Sequence, residues 1–164
     1  MPNRLIPLLF AGILAVTSGF AAAQGTNVSF GGLKADTRLP VEVTAENLSV
    51  NQADGSAVFT GDVLVKQGEM RLQAAEIRVE YGASSNEINR LHATGGVLLV
   101  NATDAAEAAS AVYTIATGEV VMSGNVLMTQ GQTAIKGQTL VINLKTGTGR
   151  MEGGVTTTFM PGNN

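Results

Sequence analysis

The chain has 164 residues, 45% hydrophobic and 4% aromatic, with a formal net charge of -3. That weakly acidic balance argues against a nucleic-acid partner. Cysteine and tryptophan are absent, which excludes disulfides and thiol nucleophiles and leaves Val, Leu, Ile, Met and Ala to build any core.

Residues 1–23 read as a cleaved secretory signal peptide. Arg4 supplies the positive end, Leu5 to Phe20 is mostly apolar, and Ala21-Ala22-Ala23 forms a small-residue cleavage site. A retained anchor is the competing reading, but Gly12, Thr17, Ser18 and Gly19 interrupt the apolar run. No later run is long enough to cross a membrane as a helix. Cleavage would leave 141 residues with 9 basic and 13 acidic side chains, enough for one domain.

Residues 24–39, with Gly25, Gly31 and Gly32, read as a flexible lead-in. Pro40 opens the ordered domain, 40–160, and 161–164 is a tail. Val41 and Val43 alternate with polar residues, as in a half-buried strand. The parity then slips, because Leu48 and Val50 stand one register away. Met70, Leu72 and Ala74 followed by Ile77, Val79 and Tyr81 make the same slip. A shared slip predicts a bulge or corner at one equivalent point, with a small residue beside it.

The slip belongs to a fourfold repeat: Ala45/Leu48/Val50, Ala74/Ile77/Val79, Ala109/Val112/Thr114 and Gly137/Leu140/Ile142. A glycine follows each copy, Gly61, Gly95, Gly124 and Gly153, after 16, 21, 15 and 16 residues. These glycines read as turns or tight crossings between strands. Phe59 to Val65 has its echo in Met122 to Met128, with a weaker copy at Ala93 to Leu99 and a last copy at Met151 to Thr157. Ala83 to Glu87 reads as a loop that lengthens the second repeat, 101–108 as a loop or bulged strand, and Thr146 to Gly149 as a hairpin turn.

The sum is an all-β stack of mainly antiparallel strand pairs wound around an apolar interior. Alternation assigns Val41, Val43, Leu48, Val50, Phe59, Val63, Val65, Leu72, Ile77, Val79, Val126, Met128, Leu140 and Ile142 to the lining. That lining fits two uses: an ordinary core, or walls parted at one side to admit acyl chains. Each buried methylene contributes about 0.8 kcal/mol, so a dozen give roughly 10 kcal/mol before ordering costs. Unclosed ends leave edge strands that invite end-to-end joining. Lys66, Arg71, Arg78, Arg90, Lys136 and Lys145 stand ready for anionic head groups or for solvent.

Signals for an enzyme are missing. His92 is the single histidine, and no His/Cys cluster marks a metal. Asp62 and Glu69 read as turn and strand carboxylates, and Ser123 lacks a nucleophile elbow. The glycine spacing follows strands and not a phosphate loop, so no cofactor is expected.

Pro40 to Glu46, Ala57 to Gly68 and Leu72 to Val79, followed by Ser123 to Val126 and Ile135 to Gly137, resemble the periplasmic lipopolysaccharide-transport protein A family, also called organic solvent tolerance A-like. The resemblance spans roughly residues 36–160. It implies a slightly twisted β-jellyroll with an apolar groove, in the periplasm. It implies lipopolysaccharide as cargo and partner, with acyl chains in the groove and sugars in water. It further implies partner proteins: an inner-membrane transport partner C, the N-terminal domain of an outer-membrane translocon D, and head-to-tail self-association. Val41 and Val43 match the receiving end, and the strand with Thr156, Thr157, Thr158 and Phe159 matches the donor end. The alternatives are a non-catalytic periplasmic scaffold or a tethered component resembling partner C.

Overall fold

A strand whose apolar parity slips halfway can bury both halves only by bending. The computed structural model describes residues 26–29, 31–82 and 87–159. The signal peptide, most of the loop at 83–87 and the tail after Pro161 lie outside the described residues.

The chain forms β1 (Thr26–Ser29), one 3-10 turn (Gly31–Leu33), β2 (Glu42–Thr44), β3 (Asn47–Asn51), β4 (Ser56–Gln67), β5 (Met70–Tyr81) and β6 (Ile88–Asn101). It continues with β7 (Asp104–Thr114), β8 (Glu119–Gln130), β9 (Thr133–Asn143), β10 (Thr148–Glu152) and β11 (Thr156–Phe159). The strand order is β1-β10-β9-β8-β7-β6-β5-β4-β2, with β3 also on β4 and β11 also on β9. Every pairing is antiparallel.

The register breaks in mid-ladder in each pair from β4 to β9, at Thr60/Val63, Ala74/Glu76, Thr94/Val97, Glu107/Ser110 and Ser123/Val126. Each long strand is thereby split into two half-strands. The first layer contains 56–60, 76–81, 88–94, 110–114, 119–123 and 139–143, with β3, β10 and β1 at its ends. The second contains 63–67, 70–74, 97–101, 104–108, 126–130 and 133–137, with β2 and β11. The apolar faces of both are buried, so the layers close on each other as a jellyroll.

Of the repeated glycines, Gly61, Gly95 and Gly124 lie within strands and are not turns between them, whereas Gly153 lies between β10 and β11. All four stand at the bends, each followed by a second residue of positive φ: Gly61-Asp62, Gly95-Gly96, Gly124-Asn125 and Gly153-Gly154. On β4, β6 and β8 the two residues stand opposite a single residue of a neighbouring long strand, the two-to-one count of a β-bulge. Space is short at the same points. A Cβ on Gly95 would lie 2.6 Å from Ala75 Cβ, and one on Gly124 would lie 2.7 Å from Ala109 Cβ. A Cβ on Gly137 would meet Met151 at 2.6 Å, so the small residue beside the bend has the expected steric cause.

Each repeat is a hairpin of the first layer, running from one bend to the next. In the third copy the register is one residue off. Val112 and Thr114 are half-buried on the outer face, while Ala111 and Tyr113 are buried inside. Counting from Ala108 instead of Ala109 restores the separation of 16 residues to Gly124. A one-residue slip exchanges the two faces of a strand, and an Ala-Val-Tyr-Thr run is apolar enough on both to hide it.

The lead-in also departs from expectation. Residues 24–39 include β1 and the 3-10 turn, and Leu33 is fully buried. Residues 101–108 follow the bulged-strand reading: β6 ends at Asn101, β7 begins at Asp104, and the register of β7 on β8 shifts between Glu107 and Ser110.

Gly124→Ala is expected to cost about 2–4 kcal/mol in urea unfolding, from positive φ plus overlap with Ala109. Gly131→Ala, with positive φ but open space around it, is expected to cost about 1 kcal/mol. Ala109→Gly in the Gly124→Ala background should recover the overlap part and leave the backbone part.

Candidate functional site

Antiparallel partners point to the same face, so cross-strand rows trace the interior. One row of the first layer reads Leu48, Phe59, Ile77, Ala93, Ala111, Met122, Leu140, Met151. The next reads Val50, Ala57, Val79, Leu91, Tyr113, Val120, Ile142. Opposite them the second layer offers Val43, Val65, Leu72, Leu99, Ala106, Met128, Ile135. All are apolar and all face inward.

Of the residues assigned to the lining by sequence, Val63, Val65, Leu72, Ile77, Val79, Val126, Met128, Leu140 and Ile142 are buried. Val41, Val43 and Phe59 are partly buried against this core. Leu48 and Val50 differ: they lie on the inner face but are 57% and 62% exposed. They sit on the last strand of the first layer, where among the described residues no further strand covers them. At the far end Phe159 is 72% exposed, on the inner face of the second layer in the row of Thr133, Gln130 and Asp104. The apolar lining thus emerges into solvent at the β3 end of the stack, and one aromatic side chain is exposed at the other.

Between the ends the interior is packed. Expectation allowed a slot parted along one side; the described residues close it. Segment 31–39 crosses the mouth between the free tips of the two layers. Ala35 N–H donates to Leu144 O at 2.9 Å on the first layer. On the second layer, Gln67 Nε2 donates to Thr37 O and Leu39 O, at 3.0 and 2.9 Å. Asn101 Nδ2 donates to Gly32 O and Lys34 O, both at 2.8 Å. A cavity of about 810 Å³ lies outside this strap, lined by residues 34–38 with Ile115, Ala116 and Lys145.

Sequence reasoning missed the strap, the buried amides of Gln67 and Asn101 that hold it, and the buried Asp104 beside them. Gln67-Gly68-Glu69 and its echo at Gln130 have the look of hairpin tips, which masks an inward-pointing amide. Tyr113 OH donates to Gln67 Oε1 at 2.7 Å, a buried bond from one layer to the other. Asp104 accepts from Gln130 Nε2 at 3.0 Å.

The structure does not assemble Asp62, Glu69 and His92. Asp62 is at a bend, Glu69 is at the β4–β5 tip, and His92 is on the outer side of the first layer. His92 Nε2 lies 3.1 Å from Glu80 Oε1 without hydrogen-bond alignment. Lys66, Arg71, Arg78, Arg90, Lys136 and Lys145 are all exposed on outer surfaces. Arg78 pairs with Asp54 at 3.0 Å, an exposed contact of small energetic weight.

The family model for LptA/(LptD N-terminal domain) LPS transport protein matches residues 42–148. An uncharacterized protein of Rhizobium meliloti (strain 1021) is 26% identical over 140 residues, which are 80% of this chain and 75% of that protein. LPS-assembly protein LptD of Actinobacillus pleuropneumoniae serotype 5b (strain L20) is 48% identical over 44 residues, 27% of this chain and 6% of LptD. Among solved structures, this chain is similar to LptH of Pseudomonas aeruginosa, the LptA homologous periplasmic component of a lipopolysaccharide transport device. The TM-score is 0.69 at 16% identity, over 77% of this chain and 99% of that one. The likeness is one of fold.

Burial pushes the Tyr113 hydroxyl up to about 12, against about 10 in an unfolded chain. The folded state therefore binds this proton more tightly. Its contribution to stability is complete below about pH 10 and is lost as pH rises through about 12. Tyr113→Phe should cost about 1–2 kcal/mol at neutral pH, because Gln67 Oε1 loses its donor. The variant should also lose part of the wild-type alkaline destabilisation, measured by urea midpoints across that range.

Proposed function

The chain belongs to the LptA/(LptD N-terminal domain) family of LPS transport proteins, and on that premise we propose that it is a non-catalytic periplasmic carrier of lipopolysaccharide. Acyl chains lodge against the inner faces of the bent sheet while sugars remain in water. The observation that carries the reading is an apolar lining that does not stop at the core but comes out exposed as Leu48 and Val50. A lining built for packing alone would end under cover.

The ends support a bridging role. Among the described residues β2 and β3, each paired with β4, and at the other end β1 and β11 are edges of the sheet. Edge strands pair readily with another chain, and the exposed apolar side chains at the two ends would then meet. In this reading the β2/β3 end receives cargo from the inner-membrane partner C or a preceding copy. The β11 end passes it to a following copy or to the N-terminal domain of translocon D. A scaffold without cargo is the second reading, favoured by the packed middle of the interior.

A photo-crosslinking residue at Leu48, Val50, Val65 or Leu140 is expected to capture lipopolysaccharide, most readily at the two exposed positions. Capture only from the outward Val112 or Lys66 would leave the scaffold. Leu48→Asp with Val50→Asp should reduce self-association in analytical ultracentrifugation, while monomer stability changes by less than about 1 kcal/mol.

A further inference from the structure

We propose that segment 31–39 is a strap that stands in for an acyl chain and is displaced when cargo enters along the mouth of the two layers. The inference deepens the carrier reading and rests on it. Its strongest observation is Leu33, which is fully buried although it belongs to a segment outside the sheet. Its neighbours Lys34, Asp36 and Arg38 face solvent. Leu33 thus reaches from the strap into the interior as one branched apolar group, with Ala35 partly buried behind it.

The polar grip has the same logic. Gln67 and Asn101 each direct one amide at two carbonyl oxygens of the strap. An acyl chain enters an interior with an ester or amide carbonyl at its head. That oxygen accepts from a side-chain amide as a peptide carbonyl does. Strap and ligand therefore present alike chemistry: hydrocarbon inward, carbonyl oxygens at the tips. Tyr113 holds Gln67 from the opposite layer through its other amide atom, so the donor stays aimed when the strap leaves.

Displacement spares the bent sheet. Among the described residues, segment 31–39 contributes no rung to any strand ladder. The strap is tied at its ends by β1 on β10 and by β2 on β4. Both ties are short, four rungs for β1 and three for β2, so the strap can leave without breaking a long ladder.

The test is a reversible lock. A Cβ on Gly32 would lie 2.6 Å from Asp104 Cγ, near the place a cysteine sulfur would occupy, and the chain has no native cysteine. Gly32→Cys with Asp104→Cys is titrated with lipopolysaccharide and with a fluorescent palmitoyl probe, oxidised and then reduced. The oxidised form should bind both about tenfold or more weakly than the reduced form, while wild-type binding ignores the oxidant. Leu33→Ser, which leaves the carbonyl bonds in place, should take up the palmitoyl probe faster than wild type. Equal binding by oxidised and reduced forms overturns the strap. If neither the reduced variant nor the wild type binds lipopolysaccharide, the carrier reading itself falls and the strap falls with it. Loss of binding for lipopolysaccharide but not for the palmitoyl probe overturns the carbonyl part, because access and not chemistry is then being read.

Discussion

The fold depends on a backbone event in the middle of its strands. At Gly61-Asp62, Gly95-Gly96 and Gly124-Asn125 two successive residues adopt positive φ inside a continuous strand. Without that kink the same ladder would be one wide sheet with an apolar face open to water. With it, each strand supplies both walls of the interior, and neighbouring strands must kink at the same height to keep their hydrogen bonds. The steric contacts of Gly95 with Ala75 and Gly124 with Ala109 show how closely adjacent bends are stacked. Local geometry is thus copied from strand to strand, which is the physical content of the sequence repeat.

An interior made this way is uniform along the stack, and uniformity has two sides. The rows of Val, Leu, Ile, Met and Ala exclude water over the whole length and stabilise the chain without disulfides. The same rows contain little that distinguishes one position from the next. Polar specificity is confined to the mouth, where Gln67, Asn101 and Asp104 are buried. That division fits the proposed carrier role, in which hydrocarbon is held without one fixed pose.

Much of this architecture is legible in the sequence. Alternation separates inward from outward residues, and for Ile77, Val79, Leu140 and Ile142 it does so correctly. The parity slip located the bends, although the glycines at them looked like turns, because glycine serves either purpose. The third repeat failed where Ala111, Val112, Tyr113 and Thr114 suit a strand on both faces, leaving no contrast to fix register. Leu48 and Val50 were assigned inward and do face inward, but exposure depends on whether another strand follows, and that is a property of the stack's end. The strap escaped because its bonds run from Gln67 and Asn101 to main-chain oxygens about thirty and seventy positions away. Main-chain acceptors leave no trace in side-chain pattern.

The pairing of β1 with β10 has a consequence for how the chain acquires its structure. All other ladders join segments that follow each other closely, so each closes over a short stretch of chain. The first strand cannot: its partner lies more than a hundred residues further along. Its docking closes the longest loop in the molecule, which makes this short ladder the costliest in chain entropy to form.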